Sequence, residues 1–102
     1  MSPRKRSVTL SPDAQVDYAE ILLYTWQEWG EEQRERYADK LDKAIAGLAD
    51  FPEAGQRCAR LFPGCRTRRV ERHILYYQVM TGTIEVYRIL HERTDPARHL
   101  QR

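Results

Sequence analysis

Lysine is absent from residues 65–91, the stretch that reads as a β-meander, although five arginines stand there. Arginine holds its proton at every accessible pH, so a cationic general base in that region is excluded. Cysteine is scarce. Cys58 and Cys65 are the only two, and a zinc site would need further ligands at suitable spacing. His73, His91 and His99 supply no such pattern. We therefore expect no metal and no cofactor, and read the two cysteines as free thiols in a reducing compartment. No apolar run approaches the ~20 residues that span a bilayer. The opening Met1-Ser-Pro-Arg-Lys-Arg6 has no apolar stretch behind it, so no signal peptide is expected and a cytoplasmic location is. Internal repeats and low-complexity segments are missing as well.

What is present reads as one domain. The chain has 102 residues, 41% of them hydrophobic and 31% charged, which describes a folded rather than a disordered chain. A domain of this size has a small core. Net charge is only +2, but the sign is partitioned. Residues 1–10 hold three basic groups and no acid; residues 11–53 hold four basic and eleven acidic; residues 54–102 hold ten basic and four acidic. A basic C-terminal half follows an acidic one, and such a surface suits phosphates or an acidic protein segment.

Val8-Thr9-Leu10 is a short β-type run. Ser11-Pro12-Asp13 then starts a helix: serine caps, proline takes the first helical position and aspartate favours the positive end. Ala14, Tyr18, Ile21, Leu22, Thr25 and Trp29 repeat with the helical period, broadened by Leu23 and Trp26, and Gly30 ends the run. Helical spacing predicts core packing for Tyr18, Tyr24, Trp26 and Trp29, with one of the two tryptophans partly exposed. A second helix is expected from Glu31 to Asp50, with Tyr37, Leu41, Ala44, Ile45 and Leu48 inward, closed by Phe51-Pro52. The short connection makes the helices an antiparallel hairpin. Residues 53–64 show no period and read as a long loop. Strands are expected near 65–72, 73–80 and 83–91, the last two joined at Thr81-Gly82. The helical stripes need an apolar partner, and one sheet face supplies it. The fold class is α+β with two layers: an N-terminal strand, then a helical hairpin packed on an antiparallel sheet, in the order β-α-α-β-β-β. Residues 1–7 form a basic extension and residues 92–102 a polar tail.

Several residues are chemically suggestive. Alternation puts Arg66 and Arg68 on one face of their strand and Arg69 on the other. Three uses are open to them: carboxylates of a partner, a scissile phosphate, or plain solvation. His91 with Arg88 and Arg66 could be written as base and phosphate-holding cations of a ribonuclease; a capping role is the alternative for His91. Arg88 stands among apolar neighbours and calls for a carboxylate, with Asp17 and Glu20 as candidates. The acidic helical run reads as a solvated face.

The order of elements, with Leu10-Ser-Pro-Asp-Ala14, Asp17, Ile21, Tyr24-Thr25, Trp29-Gly30, Gln33, Tyr37, Leu41, Leu48, Pro52, Gly55, Gly64, Arg66, His73-Ile74, Tyr76-Tyr77, Ile84, Val86, Arg88-Ile-Leu-His91 and His99-Leu100, resembles the ParE branch of the RelE/ParE superfamily of bacterial toxins. The resemblance covers Leu10 to Leu100. It implies a cytoplasmic type II toxin that stalls DNA gyrase on cleaved DNA and is silenced by a ParD-like antitoxin, with no chemistry of its own. It also implies that an antitoxin segment folds on the basic half, with Arg66, Arg68 and Arg69 as its ionic contacts and Trp26 and Tyr77 as flanking apolar ones. The tail residues Arg93, Arg98, His99 and Leu100 become candidates for touching gyrase. A RelE-type endoribonuclease acting on ribosome-bound mRNA is the alternative, and a non-toxic binding module of the same fold is the third reading.

Overall fold

A computed structural model describes residues 6–100 of the protein. β1 (Ser7–Leu10) leads into α1 (Pro12–Trp29) and α2 (Glu31–Gly47). β2 (Gln56–Arg57), β3 (Arg66–Val70), β4 (His73–Met80) and β5 (Thr83–His91) follow, and a 3-10 turn at Pro96–Arg98 closes the chain. The sheet order is β1-β5-β4-β3-β2.

Ser11 caps α1 in both directions. Its Oγ accepts from the Ala14 amide at 3.0 Å and donates to the Tyr87 carbonyl at 2.7 Å, which fixes the helix start against β5. Gly30 takes φ +90° between the helices, a left-handed conformation that side chains resist, and the hairpin turns there. Residues 81 and 82 connect β4 to β5, with Gly82 at φ +74°. The helices cover one sheet face. Ala14, Leu41, Ala44, Leu48, Leu75, Tyr77, Ile84, Val86 and Ile89 form the core between the layers.

The α+β, two-layer arrangement holds, with refinements. β1 does not stand apart: it pairs parallel with β5, Ser7 opposite Thr83 and Leu10 opposite Val86, so the sheet is antiparallel except at this edge. Strand β1 takes in Ser7, so the basic extension stops at Arg6; residues 1–5 and 101–102 lie outside the described residues. α2 ends at Gly47 rather than Asp50, because its last turn tightens to bonds from Leu48 to Ile45 and from Ala49 to Ala46. β3 ends at Val70 because Glu71 adopts φ +55°, which an extended strand cannot continue. The stretch 53–64 contains β2, which pairs with Thr67 and Arg66.

The reverse face of the sheet is also covered in part. Phe62, Cys65, Tyr76, Leu90 and Leu100 form a second buried cluster there. The segment after β5 is therefore no free polar tail. Asp95 caps the 3-10 turn by accepting from the Ala97 amide, and Leu100 plugs the cluster at 6% exposure. A leucine at the end of a polar stretch finds its apolar area only in tertiary contact, which periodicity cannot foresee.

Candidate functional site

Four features of the surface bear on function: the arginines, the Arg88 pocket, a histidine pair, and the outer face of α1.

The three β3 arginines do not act as one cluster. Arg66 is turned inward along the sheet and donates to the carbonyls of Glu53 and Gly55, both at 3.0 Å. Arg69 is on the other face and pairs with Glu92. Arg68 is exposed and makes no ion pair among the described residues, so it alone of the three keeps its charge for a partner. Tyr77, expected beside them, is fully buried; its hydroxyl donates to the Pro52 carbonyl at 2.9 Å. It is withdrawn as a contact residue, because its backbone alternation points it at the helices.

Arg88 meets the carboxylate its position demanded. A β-bulge at Tyr87 shifts the register between β4 and β5, setting Arg88 opposite Tyr76 and returning Ile89 to the core side; from the β5 edge Arg88 reaches Asp17 of α1. Its Nε and Nη2 donate to Asp17 at 2.7 and 2.8 Å, and the free Ile89 amide donates to the same carboxylate at 2.9 Å. The Asp17 hydrogen bonds hold the Arg88 guanidinium above its ordinary pKa. His99 Nδ1 accepts a longer contact from Arg88 at 3.4 Å.

His73 and His91 face each other in register, ring centroids 5.3 Å apart and nearly perpendicular. His73 Nδ1 shares a hydrogen bond with the Tyr37 hydroxyl. Burial, then the neighbouring His91, pushes the His73 pKa down to about 4, so this ring is neutral at physiological pH. His91 Nδ1 accepts from the Arg93 amide at 3.1 Å, which ties the ring to the turn after β5. The pair borders a cavity of about 440 Å³ that Tyr24, Trp29 and Gln33 also line.

The ribonuclease grouping is not assembled. Arg66 stands opposite Tyr77 and His91 opposite His73, four residues or roughly 13 Å apart along β4. Arg88 is held by Asp17. Among the described residues no group of three or more His, Cys, Asp or Glu could hold a metal ion, and no helix is long and apolar enough to cross a membrane.

α1 carries apolar residues outward as well as inward. Val16, Leu23 and Trp26 are half exposed, Tyr24 is 62% and Trp29 72% exposed. Tyr24 thus departs from the expected core packing, and both tryptophans are exposed where partial exposure of one was expected. Val16, Ala19, Leu23 and Trp26 fall three and four residues apart and make a second stripe, opposite the buried one. Trp29 keeps the inward period but stands in the last turn, where the helix has run past its core contacts; the buried series ends at Thr25. Composition could have signalled this, since α1 has more large apolar residues than one face can hold.

A depressed histidine makes stability depend on pH. The unfolded ring titrates near 6.5 and the folded one near 4, so between these values the unfolded state binds more protons. Stability is full above about pH 6.5 and falls as pH drops towards 4. Discounted for partial exposure, the loss is about 1–2 kcal/mol. Urea unfolding at pH 7.0 and 4.5 measures it, and His73→Gln is expected to flatten the slope in that window.

This arrangement is a toxin fold of type II toxin–antitoxin systems. It matches a chain of the chromosomal ParDE TA system from P. aeruginosa with a TM-score of 0.74 at 19% identity, covering 85% of this chain and 96% of that one. It also matches a chain of the heterotetrameric YoeB-YefM toxin-antitoxin complex from Staphylococcus aureus, with a TM-score of 0.56 at 20% identity over 83% and 94%. At these identities the likeness is one of fold. Sequence goes further. The family described as "ParE toxin of type II toxin-antitoxin system, parDE" matches residues 8–96. The "Toxin ParE1" of Mycobacterium tuberculosis strain H37Rv is 41% identical over 92 residues, 89% of this chain and 94% of that toxin. The chain belongs to the ParE toxin family.

Proposed function

We propose that this toxin acts in the cytoplasm on DNA gyrase, stalling it on cleaved DNA, and is silenced by a ParD-like antitoxin that folds on its surface. The gyrase reading rests on family membership together with the absence of an assembled acid–base centre among the described residues. The antitoxin reading is carried by the exposed face of α1. Val16, Leu23 and Trp26 stand outward along one stripe of α1, and exposed apolar patches mark partner surfaces. A partner segment would lay its apolar side on this stripe, and Arg68, apart from it on β3, would be a second, ionic contact for carboxylates.

The gyrase-facing candidates are Arg93, Arg98 and His99, all exposed. Leu100 is excluded by its burial. Deleting Asp95 to Arg102 would remove this plug and confound toxicity with stability, so Arg93→Ala with Arg98→Ala is the cleaner variant. It is expected to reduce toxicity more than antitoxin affinity.

The direct test is biochemical. Purified protein, freed of antitoxin, is expected to inhibit gyrase supercoiling of relaxed plasmid, to produce gyrase-dependent breaks, and to leave RNA intact. RNA cleavage that falls about 10²–10⁴-fold with His91→Gln, the usual share of acid–base catalysis, would instead establish the RelE-type reading. A folded protein inert in both assays, and harmless when induced, would be the non-toxic binding module.

A further inference from the structure

We propose that Cys58 and Cys65 are a reversible redox site, closing to an intramolecular disulfide that pins the 58–65 loop over the reverse face of the sheet. β2 and β3 pair Gln56 with Thr67 and Arg57 with Arg66. The next step of that antiparallel register sets Cys58 against Cys65, and the Cys58 amide donates to the Cys65 carbonyl at 2.8 Å. The Cys65 amide turns to Phe62 instead, so the two cysteines share a single backbone bond; antiparallel pairs hold opposed Cα atoms about 4.5–5.5 Å apart, inside the ~4.4–6.8 Å range that a disulfide bridges. Cys58 packs against the same buried cluster that holds Cys65, and both thiols are free. Two sulfurs opposed across a strand pair are a different chemical object from two isolated thiols.

The surroundings assign the order of events. Cys65 is buried in the cluster with Phe62, Tyr76, Leu90 and Leu100, whereas Cys58 is partly exposed at its rim. Burial, reinforced by the neighbouring Cys58, pushes the Cys65 thiol up to about 12, which disfavours its thiolate as the first nucleophile. With a small-molecule disulfide such as oxidised glutathione as oxidant, the Cys58 thiolate attacks one glutathione sulfur. A protein–glutathione mixed disulfide forms and one glutathione leaves as thiolate. Cys65 then loses its proton to solvent and attacks the Cys58 sulfur, expelling the second glutathione. The protein loses two protons and two electrons, and one oxidised glutathione becomes two reduced ones. The second step is expected to accelerate with rising pH, because it needs the Cys65 thiolate.

Purified full-length protein incubated with oxidised glutathione and followed by intact mass tests this. The expected product is monomeric, two hydrogens lighter, with one bridged peptide joining residues 58 and 65. Its Tm is expected to rise by roughly 5–10 °C, the effect of closing a short loop in a domain of this size, and to return on reduction. Cys65→Ala is expected to stop at the glutathione adduct on Cys58, and Cys58→Ala to leave Cys65 unmodified. If the wild type also stops at the adduct, fails to react, or crosslinks between molecules, the proposal is wrong. A bridged product of lowered Tm would equally sink it, since the native pair would then not be poised for closure. Should either variant fail to fold, the mass and Tm of the wild type decide alone.

Discussion

Asp17→Ala is expected to destabilise the fold by about 3–5 kcal/mol, the cost of leaving one member of a buried ion pair without its partner. Total stability of a small domain is about 5–15 kcal/mol, so the variant would stand near the unfolding threshold. Three hydrogen bonds converge on this one carboxylate: two from Arg88 and one from the Ile89 amide. Beyond Leu10 the β5 edge has no strand neighbour among the described residues, so Asp17 does for Ile89 what a ladder bond would otherwise do. Removing it strands a guanidinium that is only 19% exposed. Asp17→Asn keeps an acceptor for the Ile89 amide but loses the charge, and is expected to fall between wild type and alanine. Glu20→Ala, one turn away and exposed, is expected to stay within about 0.5 kcal/mol of wild type. Urea denaturation of the four proteins side by side measures this. Equal stability of Asp17→Ala and wild type would show that the pair contributes nothing.

Leu23→Ala combined with Trp26→Ala is expected to weaken antitoxin binding by at least ~30-fold, or about 2 kcal/mol, with stability of the free toxin little changed. Exposed aromatics that become buried at an interface carry a large share of binding energy. Because both side chains are substantially exposed in the isolated chain, truncating them removes little folded-state packing. Arg68→Ala is expected to cost less, and its effect to shrink with added salt, since a charge at an interface rim is screened. Arg66→Ala and Arg69→Ala are poor probes of binding, for each breaks an internal contact. Calorimetric titration with the antitoxin, paired with thermal unfolding of the toxin alone, separates the two effects. Unchanged affinity in the double variant would move the interface off the outer face of α1.

Local chemistry made much of this protein readable in one dimension. Ser11-Pro12-Asp13 announces a helix start because a hydroxyl, a fixed φ and a carboxylate each act on their own first turn. Gly30 and Gly82 mark turns because only glycine takes positive φ without cost. Arg88, alone among apolar neighbours, demanded a carboxylate, and the acidic helices could supply it. These statements involve a residue and its near neighbours, so no knowledge of the fold was needed. Tertiary structure decided the rest. The helical period of α1 marked the buried side from Ala14 to Thr25, but could not say whether Leu23 and Trp26 broaden that side or stand opposite it; the sheet left them outside. The parallel pairing of β1 with β5 joins residues more than seventy positions apart. Leu100 looked like the end of a tail until Phe62, Tyr76 and Leu90 gathered beneath it. Cys58 and Cys65 were merely near in sequence until the β2–β3 register set them face to face. Arg66 and Arg69 looked as available as Arg68 until backbone carbonyls and Glu92 engaged them. For β1, Leu100 and Arg69 the deciding partner lies more than twenty residues away, and for Arg66 and the cysteines it is the β2–β3 pairing; only closure of the sheet brings these groups into contact.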